Sequence, residues 1–581
     1  MQEINNTMVL DYKDVSFSFN DARKSKRIKR IRLIGLAIVV VLLVVAVLNF
    51  IDSGRINTAQ DLLLSGKQNE ARDYIKNLQP SLFHGDRKKE LKALLHLSFR
   101  EYTEARTVLT ALGRTATGID PARFLNYFAD RAAYRELQIY TDYQLNKLAK
   151  NQDSQSLLFF KALYSSALFQ PQVSEAAIAS MPVELKQLQK KALGLIQRIN
   201  RQVLSGKVEY IFDVNGKPMA YYDLATQKTM SLTAGMNFDA FTHDMRTGIK
   251  FYGLTLDRDV QAKLQVLFKG LNGTFLLFNV NDSSIVAAYS NSLAQPASAT
   301  TNAVFTHQYE PGSIVKPLTL LTYFNTKPTA ASSALFPLEC TGTWQLKDHV
   351  FSDWMVHKQV ANTDEALAVS CNIAFARLGL QLGHTTLRTM FNRFYFNTPA
   401  LKDLFLEFKT GKTSDTITTD FQLANMAVGL NHVTMTTFHA ALVFTIIAEN
   451  GSIYEPYMIK SKKNLLDIGY YNHGSRLLTI LTDNSAFLKV KNAMVYVVES
   501  ADGTGRRAKV DGVMMAIKTG TAGNKQLGLD AILTGFFPAE KPRYAFAFQL
   551  ERAGKAEWRG ALFLKDFLTT FYLPQSRLGS K

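Results

Sequence analysis

The 581-residue chain carries 67 Lys and Arg against 49 Asp and Glu, a formal net charge of +18, with 47% hydrophobic and 20% charged residues. That length exceeds one compact core, so two or more domains are expected, and the ordinary composition argues against long disorder. Basic residues are spread widely, with no zinc-ligand spacing and no Walker-type loop; nucleic acid is not expected, and the charge suits a protein near anionic lipid or wall polymer.

Residues 1–32 read as a basic tail ending in Arg23, Lys24, Lys26, Arg27, Lys29, Arg30 and Arg32. The run "LIGLAIVVVLLVVAVLNFI", residues 33–51, would span roughly 29 Å as a helix, close to the thickness of a bilayer core. It reads as a transmembrane anchor with a cytoplasmic N-terminus. A cleaved signal peptide competes, but the run is long for one and no small-x-small site follows. Residues 52–204 are rich in Leu, Ala, Glu, Lys and Gln at helical spacing. The pairs Glu70-Ala71 and Glu104-Ala105 lie thirty-four residues apart, with weaker echoes at Glu136-Leu137 and Glu175-Ala176. That period predicts helical hairpins resembling tetratricopeptide repeats, against an irregular helical bundle.

Near Gly206 the period changes. "VEYIFDVNGKPMAYYD" alternates around Asn215-Gly216, a hairpin signal, and residues 205–254 read as a short β segment. "TLDRDVQAKLQVLF" predicts a helix capped by Thr255 or Asp257, and "GTFLLFNVNDSSIVAAYS" two strands. Residues 365–450 are mostly helical, and strands return from Val513. Strands at both ends of a domain with helices between imply an α+β arrangement over residues 255–575.

"YEPGSIVKPLTLL" places a Pro-Gly turn before Ser313 and Lys316, one helical turn apart at the mouth of an apolar helix. A serine hydroxyl needs a base, and a lysine serves only if desolvation or a second cation lowers its pKa from about 10.4. Ser-x-x-Lys alone means little. Downstream, "LAVSCNIAF" supplies Ser370-Cys371-Asn372 in a helical region, and "AIKTGTAG" supplies Lys518-Thr519-Gly520 on a strand followed by Thr521. Taken alone, Ser370 could cap a turn and Lys518 could be a solvated charge.

The ordered triplet of Ser-x-x-Lys, Ser-x-Asn and Lys-Thr-Gly resembles that of penicillin-binding proteins and serine β-lactamases. From about Thr255 to Tyr572 the chain is similar to a monofunctional, class B-like penicillin-binding protein transpeptidase domain, with "CTGTW", "ENGSIYEPYMI" and "GTGRRAKVDGVMMAIKTGTAG" adding context. The resemblance implies an antiparallel sheet flanked by helices, with an all-helical subdomain. It implies that Ser313 attacks a D-Ala-D-Ala stem peptide or a β-lactam, with Lys316 as acylation base. Ser370 would relay a proton, Asn372 would hold substrate and orient Lys316, and Lys518 would supply positive field. Thr519 and Thr521 would bind the substrate carboxylate, and Gly520 would leave room for substrate along the strand. Backbone N–H groups of Ser313 and Thr521 would form the oxyanion hole.

No cofactor and no metal are expected, and His357 reads as a surface or core residue. Glu310 reads as solvated surface. The implied partners are stem peptides, β-lactams, the membrane and cell-wall synthesis proteins gripped by the helical region. "YIFDVNGKPMAYYD" resembles the family's Asp-Arg-Asn-Gly stretch, but Val214 replaces the arginine and the pedestal that usually follows is short. No stretch resembles a glycosyltransferase. A β-lactam hydrolase or sensor and a non-catalytic scaffold are the competing functions. Cys340 and Cys371 could form one disulfide, worth roughly 3–4 kcal/mol, or stay buried thiols.

Overall fold

In a computed structural model of the chain, helix α1 spans Tyr12–Leu64 without a break. The structure describes residues 12–78, 84–148, 154–181, 187–293, 302–326, 335–481, 484–524, 526 and 528–578. The helix runs through the boundary expected at residue 51. Its apolar residues from Leu33 to Ile51 are exposed, whereas Ile56, Ala59 and Leu63, on one face at i, i+3 and i+7, are buried. Among the described residues it is the one helix long and apolar enough to cross a membrane.

The chain divides into two compact units: residues 1–129 with 133–164, and residues 130–132 with 165–581. In the first, helices pair through a repeated turn. Gly66 and Arg100 have positive φ, each followed by an N-cap residue, Lys67 and Glu101; these and the N-cap Ala133 share φ −84° and ψ between 58° and 70°. Ala71, Ala105 and Leu137, four residues past each cap, are fully buried. Small or apolar residues at these positions let each helix close on its neighbour, which is the physical content of the sequence period.

Among the described residues the second unit holds one six-stranded and one five-stranded sheet, beside five two-stranded pairs. The hairpin Lys207–Phe212 and Pro218–Asp223 turns at Asn215-Gly216, where Gly216 has φ +79°. Its sheet has six strands, because Ile459–Lys463 and Gly469–Asn472 arrive from far along the chain to pair beside Phe251–Leu254. The expected short β segment is therefore part of a larger sheet.

The other sheet is antiparallel and five-stranded. Its strands are β1 (Asn272–Asn279), β2 (Ile285–Asn291), β3 (Ala516–Asn524), β4 (Gly528–Phe537) and β5 (Tyr544–Glu551). The spatial order is β3-β4-β5-β1-β2, so β3 is an edge strand. Alternation along β1 sends Phe275 to one face and Phe278 to the other. Phe275 meets Phe563 and Phe567 of the C-terminal helix Ala561–Leu578. Phe278 meets Phe438 of the helix Thr437–Ala448, all twelve residues of which are buried. The sheet is thus held between helices, and the helices Thr363–Ala368, Asn372–Leu382, His384–Arg393 and Asp420–Val428 form a mostly helical region alongside. The mixed α+β architecture expected from the sequence is present.

Candidate active site

Gly312–Val315 forms a 3₁₀ turn that runs into the helix Lys316–Thr326. Gly312 has φ +55°, and its N–H donates to the Gly429 carbonyl at 2.9 Å. In a 3₁₀ turn, residues i and i+3 eclipse, so Ser313 and Lys316 point the same way. Ser313 is half-buried, whereas Lys316 is fully buried. Pro317 is tolerated because it lies in the helix's first turn, where its missing N–H is not needed.

Ser370, Cys371 and Asn372 form the turn between two helices. Asn362 caps the first by accepting from the Asp364 and Glu365 N–H groups, both at 3.0 Å. Ser370 then adopts φ +58°, an uncommon conformation for a serine, and Cys371 caps the helix Asn372–Leu382. This turn brings the second motif onto the first. Lys316 Nζ donates to the Ser370 carbonyl at 2.6 Å, to the Asn372 Oδ1 at 2.7 Å and to the Ser370 Oγ at 3.2 Å.

The third motif arrives on edge strand β3. Lys518 is fully buried and donates to the Ser370 Oγ at 2.9 Å and to the Thr519 carbonyl at 2.8 Å. Ser313's turn, the Ser370 turn and β3 thus meet. Burial lowers the Lys316 pKa to about 8, and the charge of Asp353 partly opposes this. Burial and then the neighbouring Lys316 push Lys518 well below its ordinary range. Lys518 is not the solvated charge it could have been: it lies buried beside Ser370 and Lys316.

Gly520 is required for the close packing of β3 on the nucleophile's turn. A Cβ there would lie 2.9 Å from the Pro311 carbonyl oxygen and 2.9 Å from Ile314 Cγ2. Its missing side chain lets β3 lie against the nucleophile's turn. Thr519 is buried and Thr521 exposed, and the Thr521 Oγ1 accepts from the Ala556 N–H at 3.2 Å. Glu310 is not simply solvated: it accepts from the Asn431 N–H at 3.0 Å.

Sequence reasoning missed two supporting residues. Thr504 accepts from the Thr519 hydroxyl at 2.7 Å and itself donates to the Ala368 carbonyl at 3.2 Å. The "GTG" before the third motif was the available signal. Asp353 lies under the Ser370 turn with a fully buried side chain, and no spacing marked it. Its Oδ2 accepts from the Ile373 N–H at 3.1 Å and faces Cys371 Sγ at 3.0 Å and Cys340 Sγ at 3.5 Å. Burial opposes its charge, but the hydrogen bond from His357 and the positive Lys316 hold the carboxyl well below its usual range. Burial and Asp353 push the Cys371 thiol up. The two cysteines are not bonded to each other. A cavity of about 910 Å³ flanks the site, lined by Trp354, Val369, Thr504, Arg507 and Trp558 among others.

An antiparallel sheet between helices, with two buried lysines converging on a serine, defines a serine acyl-transfer fold. Residues 273–563, half of the chain, match the penicillin binding protein transpeptidase domain, and the chain belongs to that family. It is 30% identical over 206 residues to the peptidoglycan D,D-transpeptidase PbpA of Mycolicibacterium smegmatis, covering 33% of this chain and 38% of that protein. It is 23% identical over 381 residues to the peptidoglycan D,D-transpeptidase MrdA of Haemophilus influenzae, covering 55% and 56%. The fold is that of penicillin-binding protein A from M. tuberculosis, solved as a ceftriaxone acyl-enzyme complex: TM-score 0.54, 17% identity, 63% of this chain and 99% of that one. These relatives are class B penicillin-binding proteins. The chain spans between about a third and just over half the length of the curated relatives it matches.

Proposed function

We propose that this chain is a membrane-anchored D,D-transpeptidase that cross-links peptidoglycan stem peptides and is acylated by β-lactams. The observation that carries the reading is the Ser370 hydroxyl shared by two fully buried lysines, one 3₁₀ turn from Ser313. Such a cluster favours a neutral amine, which is what an acylation base must be.

In this reading Ser313 Oγ attacks the carbonyl of the penultimate D-Ala while Lys316 Nζ takes the hydroxyl proton. The proton passes through Ser370 to the departing terminal D-Ala amine, and the serine ester remains. An acceptor amine then displaces the serine and restores the proton. A β-lactam opens its ring at the same step and stays attached. Asn372 and Lys518 hold Lys316 and Ser370 in place, and the proton that the two lysines share supplies positive field. Edge strand β3 offers unpaired backbone groups to an extended peptide, with Thr519 and Thr521 toward its carboxylate. The Ser313 and Thr521 N–H groups supply the oxyanion hole, each donor worth about 3–4 kcal/mol.

Residues 33–51 anchor the chain in a bacterial cytoplasmic membrane, with the basic tail inside and the catalytic unit outside. The helical unit, with its thirty-four-residue period, serves as a tetratricopeptide-like platform for cell-wall synthesis proteins. Fluorescent penicillin should label the purified protein covalently and persistently, and Ser313→Ala should abolish the adduct while the circular dichroism is unchanged. Labelling that survives in Ser313→Ala defeats the assignment, and rapid loss of label from the wild type points to a hydrolase instead.

A further inference from the structure

We propose that Glu310 is a positioning residue for acylation: its carboxylate latches residues 429–435 onto the nucleophile's turn and thereby fixes the direction of the Ser313 N–H. In the transpeptidase reading, on which this role rests, that N–H is an oxyanion donor. Glu310 itself lies outside all three motifs. Residues 308–312 run antiparallel to residues 429–435 and are tied to them at successive points. Gln308 Oε1 accepts from the Thr434 hydroxyl at 2.9 Å, and Tyr309 and Met435 exchange N–H to carbonyl bonds of 2.9 Å each. Glu310 Oε1 accepts from the Asn431 N–H at 3.0 Å, and the Gly312 N–H reaches the Gly429 carbonyl at 2.9 Å.

Pro311 stands between the last two contacts and has no N–H to give. The turn is therefore gripped on both sides of the proline, by backbone at Gly312 and by a side chain at Glu310. The segment that grips it is sharply bent: Gly429, with φ +83°, ends the helix Asp420–Val428, and Asn431 has φ +55°. It also fits closely. A Cβ on Gly429 would collide with the Gly312 carbonyl oxygen and stand 2.7 Å from Val315 Cγ2, so a small displacement of this bend passes directly to the nucleophile's turn.

The consequence is one of aim. Gly312 has φ +55°, and the peptide that follows it carries the Ser313 N–H. Without Glu310 the bend at Asn431 loses its tie, the Gly429 carbonyl shifts, and that peptide turns away from the point where charge develops on the substrate oxygen. The tie lies at the surface, so its loss costs little stability. What the Asn431 N–H needs is an acceptor oxygen, which a carboxylate and an amide both supply.

The test follows acylation of the full-length protein in detergent over a range of fluorescent penicillin concentrations, which separates the dissociation constant of the encounter from the rate constant of the chemical step. Glu310→Gln keeps an acceptor oxygen at the same reach and should acylate within about twofold of wild type. Glu310→Ala has no acceptor, and Glu310→Asp is one methylene too short. Both should lower the rate constant by about tenfold or more, with the dissociation constant and melting temperature close to those of wild type. The bend in the rate near the Lys316 value of about 8 should not move. Should Glu310→Ala not fold, Glu310→Asp set against Glu310→Gln reads the same difference. A wild-type rate in Glu310→Ala, an equal loss in Glu310→Gln, a loss confined to the dissociation constant, or unfolding of both shortened variants would overturn the proposal. Absent or Ser313-independent labelling of the wild type is a separate signature, and it would defeat the transpeptidase reading itself.

Discussion

Lys316 and Lys518 donate to the same oxygen: their Nζ atoms lie 3.2 and 2.9 Å from the Ser370 hydroxyl. Two full ammonium charges on one buried hydroxyl repel, so the pair is stable only with a proton removed.

That relationship sets a pH profile. With Lys316 held at about 8 by burial, roughly one-tenth of it is neutral at pH 7. The second-order rate of acylation by fluorescent penicillin should rise about tenfold from pH 6 to 7, bend near 8 and then level. The stability term has the same direction. A lysine with a depressed folded pKa binds its proton more tightly when unfolded, so this group's penalty is full below about 8 and disappears as pH rises towards about 10.4. An acylation rate flat from pH 6 to 9 would remove Lys316 as the base.

Gly520→Ala should be severe although alanine is small. The new Cβ would stand 2.9 Å from the Pro311 carbonyl and from Ile314 Cγ2, so either β3 or the Ser313 turn must shift. Overpacking of this kind costs about 1–3 kcal/mol. We expect the penicillin adduct to form at least tenfold more slowly, with a small drop in melting temperature. Normal labelling would mean that the turn tolerates the displacement.

Much of this site could be read before any coordinates. Ser313 and Lys316 are local to one turn, and β1, β4 and β5 are short, continuous apolar runs of the kind a fully buried strand shows, so local sequence exposed them. Convergence of Ser370 and Lys518 came from the family resemblance, because nothing in local chemistry says which distant segments meet. Asp353 and Thr504 escaped for that reason: their significance lies in contacts to Cys371 and Thr519, across 18 and 15 residues. The six-stranded sheet was only half legible. Ile459–Lys463 and Gly469–Asn472 complete it through long-range pairing that no short window records.

Thr504→Val separates support from chemistry. The substitution keeps shape but removes the acceptor for the Thr519 hydroxyl, which is otherwise buried at 5% exposure. Leaving such a group unpaired costs about 1–3 kcal/mol. Because Thr519 accompanies Lys518 on β3, we expect acylation to slow roughly tenfold, with most of the effect in the apparent binding constant for the β-lactam. An unchanged binding constant would show that Thr519 does not need Thr504 for its position.

Leu63→Ala addresses the helical unit alone. Leu63 is 1% exposed and lies on the same face of α1 as Ile56 and Ala59, past the apolar stretch. Removing a buried leucine side chain costs about 2–5 kcal/mol, depending on how far the surroundings collapse. The two units have separate cores, so the loss should fall on the residues around α1 and leave the site at Ser313 intact. The expected outcome is protease sensitivity between residues 64 and 148 at a lower temperature than in wild type, with penicillin labelling of the catalytic unit unchanged. Should labelling fall in step with the melting of the helices, the units fold as one cooperative body, and the helical region would have to be treated as part of the enzyme rather than as its platform.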